Sequence, residues 1–578
     1  MQINVKRNII IYFFLMAVCA FFISYLSENK VNAFTVKVFA VNMLIVLGSC
    51  FYRVQRFYWL TFSVLSVFVL SVLCLREFPD IDMARNNIIN SISLVICVIN
   101  LMVMLPNFIS NKYWRVIIAI STWGCTLFGA ALFWIYYFSE KTWLGHDAIL
   151  AIMQTNSGEA GSYIQTHING YILLLLLILF IAFFILCRAV YYDGGIVLRN
   201  KLSLVMLCIF IILNLLVVGY THNKNYYLEP FWDAYKILKE YKQFRASSDM
   251  RNVMINKSEI LSDDKDGLYV LVIGESQTRA HMSAYGYDRQ TTPWLNTISQ
   301  DENTLVFTNA FSCHTHTVPV LSYALTEKNQ YNDVDATQAA SLVEMVKAAG
   351  YKVVWLSNQA QYGVYETPTS VIADAADEKI FISDRVGSSR YYDGALINVL
   401  NDINMTGKTL LIVHLMDCHV DYVDRYPSEM SVFSEDNNVD VYDNAVFYND
   451  VVMKKLYENI MSHSNFRAMV YFSDHGEDVE DNLGHNSGNF KPVMAKIPLY
   501  MIFSPTYVQK NGEIYRQLLK AKENMFTNDL IYNALLGVMG IHYRVNYEPW
   551  NDLTSSDYDN NEERFLTLHG KVMIKDIK

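Results

Sequence analysis

The chain has 578 residues, 52% of them hydrophobic, and a formal net charge of −10. That length exceeds one ordinary domain, and the acidic balance excludes a nucleic-acid partner, which requires a basic footprint. The averages conceal a division: up to about Tyr220 apolar runs dominate, and beyond it the sequence reads as an α/β enzyme.

A helix needs about twenty apolar residues to span a bilayer. Runs of that size lie near 8–26, 34–52, 57–75, 88–110, 116–138, 170–191 and 202–220. With every run spanning, Lys6 and Arg7, Arg53 and Arg56, Lys112 and Arg115, and Arg188, Arg199 and Lys201 fall on one side, as the positive-inside rule requires. The amino terminus is then cytoplasmic and the carboxyl-terminal domain lies on the other face. No small-residue cleavage site follows the first run, so it reads as a span and not a cleaved signal. This divides the chain into a helical membrane domain (1–220), an interfacial helix and linker (221–268) and a catalytic domain (269–578).

Within the loop 139–169, Thr155 and Glu159 are four apart and share a helix face, which on the residues alone is an amphipathic surface helix. The stretch 229–245 places Phe231, Tyr235 and Leu238 on one face with lysines elsewhere, the pattern of a helix lying in the membrane interface. The polar stretch 246–268 follows as a linker. Seven of the nine cysteines lie in the apolar half, where free Cys behaves as a small hydrophobe. Cys313 and Cys418 follow separate strands and leave one pairing open.

In the soluble half, apolar strands are predicted at 269–274, 304–308, 352–357, 409–415, 468–472 and 497–503, with helical segments at 338–349, 393–402 and 440–462. Such alternation implies a mostly parallel sheet covered on both faces. Glu275 is the first residue past one strand, and Asp474 and His475 follow another. Ligands gather outside the carboxyl ends of such strands, so these three side chains are aimed at one crevice. Two carboxylates and an imidazole suit zinc or manganese better than calcium. Thr317 precedes Val318-Pro319 and an apolar run, which reads as a helix N-cap with proline in the first turn. A hydroxyl there, beside a divalent metal, can attack phosphorus, with the helix end holding phosphoryl oxygens. Thr315 lies two residues earlier and keeps the choice of threonine open.

Gly274-Glu-Ser276, Ser283-Ala-Tyr-Gly-Tyr287, Thr291-Thr-Pro293, Thr317-Val-Pro319 with Leu325-Thr326, His414-Leu-Met-Asp-Cys-His419, Arg425-Tyr-Pro427, Tyr442-Asp-Asn444 and Ser473-Asp-His-Gly-Glu477 occur in that order. This string resembles the bacterial phosphoethanolamine transferases of the alkaline phosphatase/sulfatase superfamily, in the form that decorates the lipopolysaccharide core. Gln154-Thr-Asn-Ser-Gly-Glu-Ala160 extends the likeness into the membrane half. The resemblance implies a multi-pass protein of the bacterial inner membrane with a periplasmic α/β domain of sulfatase type. It implies phosphatidylethanolamine as donor and a threonine that carries phosphoethanolamine to an envelope glycolipid. Carried over by position, Glu275, Thr317, Asp474 and His475 would hold Zn2+, with Mn2+ as the lesser choice. His419 and His485 would face the transferred group, as proton donor and acceptor or as ligands of a second metal. Glu159 would pair with the ethanolamine ammonium, with Thr155 or Asn156 hydrogen-bonding beside it. Thr317 is preferred to Thr315 because its spacing to Leu325-Thr326 matches the superfamily's nucleophile motif. The lipid A-modifying branch has a cysteine-rich soluble domain and usually five spans. This chain has only two cysteines in that half, which favours a core sugar as acceptor and leaves lipid A and periplasmic glucans as alternatives, and its seven runs imply either two spans added at the amino terminus or fewer runs that span. A glycerol-phosphate transferase of the lipoteichoic-acid type shares the layout, but the 154–160 motif favours phosphoethanolamine. A sulfatase would need Cys or Ser where Thr317 stands. A non-catalytic sensor would not keep the whole Glu, Thr, Asp and His set.

Overall fold

The computed structural model describes residues 58–76, 81–154, 161, 170–192, 201–221, 225–257, 260–262, 267–359, 368–383, 391–543 and 546–577. The chain forms two compact units, the first of residues 1–150 and 163–235 and the second of residues 151–162 and 236–578. The runs expected at 8–26 and 34–52 lie outside the described residues, as do Thr155, Asn156 and Glu159.

The first unit is helical: α1 (Tyr58–Ser71), α2 (Ile81–Met104), α3 (Lys112–Glu140), the start of α4 (His146–Gln154, whose last residues from Ala151 count with the second unit), α5 (Gly170–Tyr192) and α6 (Lys201–Thr221). Among the described residues, Asn86–Phe108, Lys112–Glu140 and Gly170–Tyr192 are long and apolar enough to cross a membrane, and Val64–Leu75 and Leu207–Thr221 are shorter apolar helices. Helix α5 exposes Leu173, Leu174, Leu177, Ile178, Phe180 and Ile181, a surface suited to acyl chains and not to water. Polar side chains join the helices where the apolar effect cannot, since lipid is as apolar as leucine. Trp123 donates from Nε1 to the Met102 carbonyl at 3.1 Å. The buried Arg115 donates to the carbonyls of Ile109 (3.0 Å), Ser110 (3.2 Å) and Val190 (3.4 Å), so a guanidinium at the start of α3 satisfies backbone at the end of α5.

The division between units falls inside α7 (Glu229–Ala246). Beyond it, the stretch expected as a polar linker carries a further helix, α8 (Ser248–Lys257). The reason is a long-range ion pair: Arg251, 2% exposed, donates to Glu344 at 3.0–3.2 Å and to the Phe244 carbonyl.

The core of the second unit is a seven-stranded sheet: β1 (Gly267–Gly274), β2 (Thr304–Phe307), β3 (Lys352–Ser357), β4 (Glu378–Phe381), β5 (Lys408–His414), β6 (Phe466–Ser473) and β7 (Leu499–Phe503), in the order β2-β7-β6-β1-β5-β3-β4. The six expected strands are present. Strand β4 is not among them, because Glu378-Lys379-Ile380-Phe381 has the half-polar composition tolerated only at a sheet edge. Strands β6, β1, β5, β3 and β4 run parallel, and β7 is antiparallel to both neighbours. No long helix lies between β6 and β7 among the described residues, and a parallel return generally needs a helical crossover. Along β1 the side chains alternate between two cores: Tyr269, Leu271 and Ile273 enter one, and Leu268, Val270 and Val272 the other. Every residue of β1 is buried, which is why the strand reads as a continuous apolar run. Cys313 lies in the first core and Cys418 in the second, on opposite faces of the sheet, and both are free thiols.

Candidate active site

Register in the sheet assembles the site. Gly274, the last residue of β1, lies opposite Ser473, the last of β6, and Ile273 lies opposite His414, the last of β5. The loops leaving three adjacent strands therefore start side by side, with Glu275 on the first, Asp474 and His475 on the second and His419 on the third. Gly274 has to be glycine: a Cβ there would stand 2.3 Å from the Tyr471 hydroxyl and 2.6 Å from Asp417 Oδ2. Ser276 takes φ +55°, a left-handed turn that reverses the chain after Glu275.

Across the crevice, α9 (Thr317–Ala324) presents its amino-terminal end. Thr317 is its first helical residue and not its N-cap, a position held by His316 in extended conformation. The Thr317 hydroxyl is thereby free of capping and donates to Glu275, 3.1 Å from each carboxylate oxygen. Thr315 is fully buried, and its Oγ1 has no hydrogen-bond partner.

Glu275, Asp474 and His475 are buried, with one ligand atom from each converging. His475 Nε2 lies 3.3 Å from Glu275 Oε1 and 3.5 Å from Asp474 Oδ2. Its Nδ1 lies 3.0 Å from the Gly476 carbonyl, which can only accept, so Nδ1 carries the proton and Nε2 the lone pair. Asp474 Oδ2 and His475 Nε2 are buried without hydrogen-bond partners. Burial and the neighbouring Glu275 charge push the Asp474 carboxyl well above its ordinary range. Burial acts the same way on Glu275, but hydrogen bonding and charge from His475 in its protonated form outweigh it and hold that carboxyl well below. Two converging carboxylates, an inward lone pair and orphaned acceptors suit a divalent cation of the zinc type, and the Thr317 hydroxyl lies within reach of the same point.

A second converging group comprises His475, Glu477 and His485. The rings of His475 and His485 are 4.4 Å apart, and His316 follows at 5.2 Å from His485. His419 is half-buried on the loop after β5, near enough for its charge to lower the Glu275 carboxyl, yet outside both converging groups. Gln359 is an addition to the expected residues. It stands two residues past the carboxyl end of β3 and donates to Glu275 Oε2 at 3.0 Å and to the Leu415 carbonyl at 2.9 Å. The strand-end rule that points to Glu275 would have found it.

Comparison with known proteins places relatives beside both halves of the chain. Residues 268–541 match the sulfatase family. The phosphoethanolamine transferase EptC of Escherichia coli K12 is 28% identical over 507 residues, covering 79% of this chain and 83% of its own. The phosphoethanolamine transferase CptA of Salmonella typhimurium is 28% identical over 500 residues, covering 79% and 85%. Among solved structures, the zinc complex of the C-terminal periplasmic domain of Escherichia coli EptC superposes with a TM-score of 0.51 at 28% identity, over 55% of this chain and 96% of that one. The integral membrane lipooligosaccharide phosphoethanolamine transferase A of Neisseria meningitidis shares the fold over 88% of this chain and 97% of its own, at a TM-score of 0.57 and 18% identity.

Proposed function

Starting from residues 268–541 as a sulfatase-family domain behind a bundle of membrane helices, we propose that this chain transfers phosphoethanolamine from phosphatidylethanolamine to a lipopolysaccharide core sugar, through a covalent adduct on Thr317. The observation that carries the reading is the Thr317 hydroxyl at the start of α9, bonded to Glu275 beside the inward-facing Asp474 and His475. Glu275, Thr317, Asp474 and His475 would hold zinc, which supplies the positive charge that lets an alcohol act as nucleophile near neutral pH. The first backbone N–H groups of α9 face the phosphoryl oxygens, the usual use of a helix amino terminus. Gln359 fixes Glu275, so the carboxylate that accepts from the threonine hydroxyl does not turn away. His485, with a ring a quarter exposed at the crevice rim, serves the proton of the acceptor hydroxyl. The relatives named as phosphoethanolamine transferases support phosphoethanolamine as the group transferred.

The recognition of ethanolamine rests on the sequence alone: Glu159 would pair with the ammonium, and Thr155 or Asn156 would hydrogen-bond beside it. The test is mass spectrometry of envelope glycolipids from cells with the wild-type chain, Thr317→Ala and Glu159→Gln. Wild type should add one phosphoethanolamine to a core sugar, and Thr317→Ala none. Glu159→Gln should lose transfer while still hydrolysing a small soluble phosphodiester. An adduct trapped on Thr315, or an added glycerol phosphate, would overturn the corresponding part of the reading.

A further inference from the structure

Glu477 belongs to the second converging group, and its surroundings are those of a built pair with His485. Its carboxylate is fully buried, while the His485 side chain is 25% exposed. Glu477 Oε2 lies 2.8 Å from His485 Nδ1, and its Oε1 accepts from the Tyr422 hydroxyl at 2.6 Å. The chain between the two residues is folded back on itself. Asp478 N–H donates to the Gly484 carbonyl at 2.7 Å and Gly484 N–H to the Asp478 carbonyl at 3.1 Å. Asn482 and Gly484 take φ +55° and +60° to close this turn. Gly484 passes so near that a Cβ on it would lie 3.3 Å from Glu477 Oε1. A bulkier residue would displace the carboxylate.

An ionised carboxylate only accepts, so His485 carries its proton on Nδ1 and presents a lone pair at Nε2. Tyr422 occupies the other carboxylate oxygen, which holds Glu477 facing His485. We propose that Glu477 is the positioning residue of the acceptor step: it fixes the tautomer and ring plane of His485 and stabilises the imidazolium that forms there. The proposal rests on the transferase reading and assigns it a second half. As the acceptor oxygen bonds to phosphorus, its proton passes to His485 Nε2. The bond from phosphorus to Thr317 Oγ1 breaks, and the electron pair returns to Oγ1. The logic is that of a buried acid behind a catalytic histidine.

A double-mutant cycle tests it on the full-length chain in lipid nanodiscs: wild type, Glu477→Gln, His485→Gln and the double variant. Thr317 is charged from phosphatidylethanolamine, and the single-turnover discharge to lipopolysaccharide from cells lacking the chain is timed. Glu477→Gln should slow discharge by about 10²-fold, within the range of general acid–base effects, with zinc content unchanged. In the His485→Gln background it should cost nothing further, because the group it acts through is gone. Losses that multiply would make Glu477 an independent structural or binding residue and overturn the proposal. Loss of zinc in Glu477→Gln would overturn it in favour of a metal ligand. A wild-type chain that cannot be charged from the phospholipid sinks the transferase reading alone; the same cycle is then read on hydrolysis of bis-p-nitrophenyl phosphate, where water replaces the acceptor hydroxyl.

Discussion

Two buried histidines in the second unit shift in opposite directions. Burial lowers His475, but the carboxylates of Glu275 and Glu477 outweigh it and raise the ring's proton affinity. His414, at the end of β5, is 4% exposed with Nε2 unpartnered, and burial lowers it to about 4. The unfolded chain binds that proton near the ordinary histidine value of about 6.5, so between the two values the unfolded state holds a proton that the native state lacks. Stability from this group is present above about pH 6.5 and is lost as pH falls towards 4. Between pH 7.5 and 5 the loss should be about 2 kcal/mol. A His414→Gln variant should be less stable at pH 7.5 but should lose correspondingly less on acidification, measured by thermal unfolding in detergent at both pH values. Equal losses in the two proteins would show that His414 does not titrate there. Residue identity alone points to Glu275, Asp474, His475 and Thr317, because strand ends and helix starts are legible in sequence. Tyr422 and Glu477 are not legible as a set. Their shared hydrogen bond spans 55 residues, and no local pattern encodes it.

Helix α8 shows the same limit for a whole element. Ser248–Lys257 is polar enough to read as linker, and the burial of Arg251 against Glu344, with Ile255 in the first core, orders it. Glu344 also forms a capping box with Ser341 at the start of α10 (Leu342–Ala348), accepting from the Ser341 N–H at 2.9 Å while Glu344 N–H donates to the Ser341 hydroxyl at 3.2 Å. Arg251→Ala would leave that carboxylate buried and uncompensated, at a cost of about 3–5 kcal/mol. Arg251→Ala combined with Glu344→Gln should be more stable than Arg251→Ala alone, since the neutral amide can still serve the cap. Chemical unfolding of the three proteins ranks them, and a double variant weaker than the single would show the pair is not a charge-compensated unit. The strands are legible because both faces of the sheet are covered, which turns each central strand into an unbroken apolar run. The antiparallel course of β7 is not, since direction depends on the connection and not on the strand's own residues.

At the scale of the whole molecule, the two units are visible in composition alone, because lipid and water demand different surfaces. Arg115, which from a buried position satisfies a carbonyl of α5 and two in the turn before α3, shows that the bundle is also joined by specific contacts. The second unit is built from strands far apart in the chain. Its central strand β1 is made first, at 267–274, whereas its two neighbours are β5 at 408–414 and β6 at 466–473. During synthesis, then, β1 emerges with both edges bare and waits through nearly two hundred further residues for closure. Non-local pairing of this kind delays folding until late in translation. A nascent chain stalled before Phe466 should stay open to added protease around 267–274, and one released after Phe503 should resist it. Protection appearing already in the shorter chain would mean that β1 closes early against β5 alone. If it does not, the cell must shelter an unfinished, strongly apolar strand through most of the domain's synthesis, and Glu275 cannot capture a metal ion with Asp474 and His475 until those last neighbours have arrived.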